Sequence, residues 1–108
     1  MPTLENLTPT EVARALADHS IVLIDVREPS EYAAERIGGA LLYPLSTFDP
    51  LALPDPGGRA IVFHCGVGAR SARAMAIAAD AGVIAAGHLA GGLMAWKAAG
   101  LPLICATP

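Results

Sequence analysis

The sequence predicts an α/β domain built on a mainly parallel sheet, and three observations carry that prediction. Two apolar runs, "IVLID" over residues 21–25 and "AIVFH" over 60–64, are too short for buried helices and rich in β-branched side chains. Stretches with helix-forming composition and recognisable end signals lie between and around them. Strands that alternate with helices pack as a sheet covered on its faces, which is the usual setting of parallel pairing.

Each element follows from its own residues. Thr8, Pro9 and Glu11 supply a cap, a first-turn proline and the third-position carboxylate of a capping box, so a first helix runs to about Asp18. The first strand is 21–25, with Asp25 at its carboxyl end and Arg27 just beyond. Pro29 and Ser30 open a short helix to about Arg36, and the glycines of "GGALLYPL" turn the chain into a brief strand over Leu41–Tyr43. Residues 46–59 hold Pro50, Pro54 and Pro56, which predicts a loop-rich connection with room for one helical turn. The second strand, 60–64, ends against Cys65. "RSARAMAIAADAG" is rich in good helix formers and stops at Gly82, a left-handed C-terminal cap. A further strand is expected in "VIAA", 83–86, and a last helix in "GGLMAWKAAG", 91–100, closed by Gly100 and Pro102.

The 108 residues suit one domain, 1–108, and a chain that is 54% hydrophobic and 16% charged is neither disordered nor a nucleic-acid coat. A net charge of −3 gives no general attraction to polyanions, so neither nucleic acid nor membrane is an expected partner and any anion site must be local. The opening "MPTLENLTPTEV" has no basic segment followed by an apolar one, and no run approaches the ~20 apolar residues of a bilayer span. A cytoplasmic location is expected, where Cys65 and Cys105 stay unbridged. His19, His64 and His88 are scattered, so neither a metal nor an organic cofactor is expected.

The segment "FHCGVGARSARAMAIA", 63–78, concentrates the chemistry. In open parallel sheets ligands bind beyond the carboxyl ends of the strands, where this reading places Asp25, Arg27 and Cys65. A thiol is a nucleophile as the thiolate, and an unperturbed cysteine, pKa near ~8.5, is mostly protonated at neutral pH. Amides of a glycine-rich loop, the positive end of the following helix, and Arg70 with Arg73 all favour the anion, toward the range of roughly 3.5–7.5 seen for activated thiols. Gly66 and Gly68 allow the tight loop, Val67 and Ala69 leave it uncharged, and Ser71 can cap the helix or donate its hydroxyl. The local pattern also fits a small core cysteine followed by a simple turn. His64 and Cys65 are neighbours on a strand and point to opposite faces, which disfavours a protease-like pair and leaves His64, like His19 and His88, a structural role. Arg27 is expected to staple Asp25 or Glu31, and Met94 and Trp96 to pack apolar surface.

Three stretches, "LIDVREPSEYAAERIGGALLYPL", "IVFHCGVGARSARAMAIA" and "GHLAGGLMAWKAAGLP", together resemble the rhodanese family of sulfurtransferases, in the family's order and across residues 23–103. The resemblance implies a central, mainly parallel five-stranded sheet flanked by helices and a catalytic loop "CGVGAR" with Cys65 as nucleophile. It implies that the thiolate takes the outer sulfur of thiosulfate or a similar small anionic donor, releases sulfite, and passes the sulfur from a persulfide to a thiol, cyanide or a protein thiol. Gly66, Val67, Gly68, Ala69, Arg70 and Ser71 would then form the substrate-binding loop of a monomer or weak homodimer. The chain departs from the family in carrying Arg36 where histidine is common, and "CGVG" is as close to the loops of mercaptopyruvate enzymes as to those linked to thiosulfate. Two rivals remain. A cysteine phosphatase places five residues between cysteine and arginine, whereas four lie between Cys65 and Arg70, a smaller cradle. A non-catalytic interaction module of the same family would have no need of the cysteine. Cys105 could take the sulfur only if the tail folds over the site.

Overall fold

The computed structural model describes residues 5–106. Five strands, β1 (Glu5–Leu7), β2 (Ile21–Asp25), β4 (Leu41–Leu42), β5 (Ala60–His64) and β6 (Gly87–Leu89), form one sheet in the order β1-β6-β5-β2-β4. Every pairing in it is parallel, with Asp25 opposite His64 and Phe63 opposite His88. The five-stranded parallel sheet is as expected. A second, antiparallel ribbon joins β3 (Glu35–Arg36) to β7 (Ile104–Cys105).

Alternation along the strands divides the interior into two cores. Ile21, Leu23 and Val62 face α1 (Pro9–Ala17) and α4 (Gly92–Ala98), packing with Val12, Leu93 and Trp96. Val22, Ile24, Ile61, Phe63 and Cys65 face α3 (Ala69–Asp80), packing with Ala74, Met75 and Ala78. Cys65 and His64 therefore lie on opposite faces, as the strand period requires. Trp96 is buried, and its indole N–H donates to the Pro102 carbonyl at 2.9 Å, tying down the tail.

Helix ends follow the chemistry read from the sequence. Thr8 Oγ1 accepts from the Glu11 amide at 3.2 Å and Glu11 Oε1 from the Thr8 amide at 2.9 Å, completing the box at α1. Gly82, at φ +80°, follows the last turn of α3, and the Val83 amide donates back to the Ala78 carbonyl at 2.8 Å. His19 takes the corresponding left-handed position after α1, at φ +59°.

Four expectations are corrected. The strand placed at 83–86 is at Gly87–Leu89: Ile84 stands out in solvent after the cap that closes α3, 80% exposed, and the chain first meets the sheet at Ala86, whose amide donates to the Ile61 carbonyl of β5 at 2.8 Å. The second helix, α2 (Pro29–Ala34), stops before Arg36 because Glu35 turns extended to pair with the tail. Strand β4 ends at Leu42, since the Tyr43 and Leu45 amides bond to Asp25 and Val26 carbonyls as the chain leaves the sheet. The connection expected over 46–59, with room for one helical turn, carries two 3-10 turns, Leu45–Thr47, which begins one residue earlier, and Pro50–Ala52. Strands β1, β3 and β7 are additions to the sequence reading. Among the described residues no helix is long and apolar enough to cross a membrane.

Candidate active site

The carboxyl ends of β2 and β5 deliver Asp25, Arg27 and Cys65 to one end of the sheet. Cys65 is fully buried. The chain turns through Gly66, Val67 and Gly68 into α3, and Gly68 holds φ +113°, a conformation that a β-carbon resists. This turn brings the Gly68 amide 3.1 Å and the Ser71 amide 3.3 Å from Sγ, each donating to sulfur. Ser71 Oγ lies 3.6 Å from Sγ. Burial pushes the thiol up, but the Ser71 hydroxyl and the amides of Ser71, Gly68 and Val67 outweigh it, so its pKa lies below the ordinary value.

The other loop residues have separate duties. Gly66 lends its carbonyl to the Met94 amide at 3.0 Å, and the Cys65 carbonyl accepts from the Leu93 amide at 2.8 Å, so the start of α4 is bolted to the cysteine loop. Val67 stands 68% exposed at the tip, and Ala69 and Arg70 are already the first residues of α3. The amides bonded to Sγ are thus a subset of those expected between Gly66 and Arg70, with Ser71 added.

Charges at the mouth are paired. Arg70 Nη1 and Nη2 donate to Glu31 Oε1 and Oε2 at 2.7 and 3.0 Å, a two-pronged contact that holds Glu31 at a pKa of about 2. Arg27 is the expected staple: its Nε and Nη2 donate to Asp25 at 2.9–3.1 Å, and Nη2 also to the Glu35 carbonyl at 2.7 Å. Burial would raise Asp25, yet contacts with His64 and Arg27 hold it at about 2. His64 Nε2 stands 3.3 Å from Asp25 Oδ2 without an aligned hydrogen bond, and Nδ1 lies 3.3 Å from the Cys65 carbonyl, so this buried histidine keeps one ring nitrogen unpartnered. Arg73 is exposed on α3, and Arg36 lies over the Tyr32 ring at 5.1 Å.

A cleft of about 510 Å³ opens beside the loop, between Arg27, Glu31, Gly66, Val67, Arg70 and Met94. Met94, expected to pack apolar surface, is 60% exposed at this rim. Cys105 is exposed and free, in register with Glu35, which also lines the cleft.

Two contacts were beyond the sequence reading. His88 Nδ1 is 2.8 Å from Ser71 Oγ, and His88 Nε2 is 2.9 Å from Asn6 Oδ1. The double glycine before α4 was a possible signal for the docking of that helix on the loop. Nothing local marks His88.

A parallel α/β sheet with a cysteine cradled by amides at a strand's carboxyl end defines a thiolate-stabilising domain. The chain belongs to the rhodanese-like domain family, whose model matches residues 8–99. A protein from Allochromatium vinosum named "Sulfurtransferase" is 35% identical over 86% of this chain and 88% of its own length. An uncharacterized protein from Synechocystis is 39% identical over 91% of this chain, which spans 55% of that relative's length. In fold, the chain is similar to the crystal structure of a rhodanese-related protein from Thermoplasma volcanium, with a TM-score of 0.79, 22% identity, and 93% and 97% of the two chains covered.

Proposed function

We propose that this domain is a sulfurtransferase that carries one sulfane sulfur on Cys65. The observation that carries the reading is the cradle: two amides donate to one sulfur at 3.1 and 3.3 Å in a buried loop. Such donors favour an anion on sulfur, whether thiolate or persulfide. The Cys65 thiolate attacks the outer sulfur of thiosulfate or a similar donor, the donor's S–S bond breaks, and its electron pair leaves with sulfite. An acceptor thiolate then takes the outer sulfur, and the electrons of the persulfide bond return to Cys65. A small thiol, cyanide or a protein cysteine serves as acceptor, in a cytoplasmic monomer or weak homodimer. The relative named as a sulfurtransferase supports the same reading.

Arg70, expected to hold the donor, is committed to Glu31, so a dianion must compete with that carboxylate. The four-residue spacing from Cys65 to Arg70 leaves a cradle suited to one sulfur rather than a tetrahedral phosphate. One observation favours a non-catalytic interaction module: Cys65 has no exposed surface. Sulfite release separates the two. Purified protein given thiosulfate and a thiol should release sulfite with ping-pong kinetics, and Cys65→Ser should release none. Absence of sulfite release with thiosulfate and of pyruvate release with mercaptopyruvate from the wild type would favour the module, and release by Cys65→Ser would overturn the mechanism.

A further inference from the structure

In this structure Cys65 has no exposed surface, so the first proton acceptor within its reach is internal. The Gly68 and Ser71 amides facing Sγ can only donate. Ser71 Oγ can accept, at 3.6 Å with Sγ–H as donor. Beyond it the path continues without a gap, from Ser71 Oγ to His88 Nδ1 at 2.8 Å and from His88 Nε2 to Asn6 Oδ1 at 2.9 Å. Asn6 is exposed on the edge strand β1, while His88 on β6 is buried, so the chain of side chains runs from the sulfur to the surface.

We propose that Ser71, His88 and Asn6 form a proton relay for Cys65, in which His88 accepts the thiol proton through Ser71 and Asn6 fixes the imidazole tautomer. The inference rests on the reading of Cys65 as a nucleophile. Proton positions are self-consistent. Asn6 Oδ1 accepts Nε2–H, which leaves Nδ1 with a lone pair; Nδ1 accepts the Ser71 hydroxyl, and the Ser71 oxygen faces the thiol with a lone pair. Transfer breaks the S–H and Ser71 O–H bonds and forms a new O–H at Ser71 and an N–H at Nδ1. The products are thiolate and imidazolium, with no change of oxidation state. Water at the exposed Asn6 edge then takes the Nε2 proton, and the Asn6 amide turns so that its N–H donates to the vacated Nε2 until the reverse transfer restores the resting tautomer.

The surroundings fit this role. Burial lowers the His88 pKa, which keeps the resting ring neutral and its Nδ1 lone pair open. Among the described residues no charged side chain hydrogen-bonds to His88. Arg70 acts on the sulfur through its charge from across the loop. Asp25 and His64 lie on the opposite face of the sheet from Cys65. The Ser71 hydroxyl can also donate to the Gly68 carbonyl at 3.1 Å, an orientation that competes with the shorter bond to His88 at 2.8 Å.

The test is the pH dependence of Cys65 alkylation by iodoacetamide in a Cys105→Ser background, which leaves one thiol and needs no sulfur donor. Ser71→Ala removes a hydrogen bond to the charged sulfur and should lower the alkylation rate near neutral pH about tenfold and move the profile about one unit upward; His88→Phe, which removes the acceptor behind Ser71, should move it in the same direction. His88→Gln, which can still accept from Ser71 but does not titrate, should keep the fold and still lose the histidine-dependent limb. Asn6→Ala, an exposed change, should shift the profile in the same direction by less. Folded His88→Gln and Asn6→Ala proteins with wild-type profiles would overturn the relay, whereas a purely structural His88 would alter melting and not the profile. A wild-type alkylation profile that depends on His88 in a protein that forms no persulfide would instead overturn the sulfurtransferase reading alone.

Discussion

Gly92→Ala should damage both the fold and the cysteine loop. Gly92 holds φ +58°, and a β-carbon there would lie 2.7 Å from the Gly66 carbonyl carbon and oxygen and closer still to the Cys65 carbonyl oxygen. These neighbours are backbone and cannot swing away, so α4 or the loop must shift. The left-handed conformation alone costs a residue with a β-carbon about 1–2 kcal/mol. The shift also strains the bonds from the Leu93 and Met94 amides to those same carbonyls, at 2.8 and 3.0 Å, each contributing about 1 kcal/mol. A total of about 3–4 kcal/mol follows, which for a domain of this size lowers Tm by more than about 12 °C. Gly58→Ala is the control, with φ +84° and nothing within 4 Å of its added carbon. It should cost about 1–2 kcal/mol from conformation alone. Thermal unfolding followed by circular dichroism compares the two, and a Gly92→Ala loss no larger than that of Gly58→Ala would refute the argument from docking.

Other perturbations follow from the same contacts. Asp25→Asn leaves the buried Arg27 guanidinium short of its carboxylate and should cost about 3–5 kcal/mol in a urea titration. In the wild type, depression of Asp25 from 3.8 to about 2 makes its contribution, about 2 kcal/mol, complete above pH ~4 and lost as the pH falls through about 2. Acid unfolding of the wild type should therefore steepen in that window, and a stability flat across it would count against the ion pair. Glu31→Gln frees Arg70, so KM for thiosulfate should fall about two- to fivefold at low ionic strength and the gain should fade with added salt. His19→Gly relieves a left-handed residue after α1 and should raise Tm by about 4–8 °C.

Legibility followed the range of the interaction. The capping box at α1, the strands 21–25 and 60–64, and the cysteine at a strand tip are each written in a few adjacent residues. The edge strand β1 and the ribbon of β3 with β7 have two or three residues each, too few to show a period, and form because a partner is already in place. The sixth strand was misplaced because Val83 and Ile84 have the better β-propensity, while the strand itself begins with a glycine. Pairings at the site failed for the same reason. Arg70 and Glu31 are 39 residues apart, and His88 and Asn6 are 82 apart. Such contacts are products of sheet order, which brings β1 beside β6 and α2 beside α3, and nothing in either partner's neighbours announces them.

Intact-protein mass spectrometry after incubation with thiosulfate tests the central claim most directly. The Cys105→Ser protein should gain one sulfur that a thiol then removes, and the further Cys65→Ser change should abolish the gain. A sulfur retained without Cys65, or no gain with thiosulfate or mercaptopyruvate at concentrations that leave the protein folded, would contradict the account.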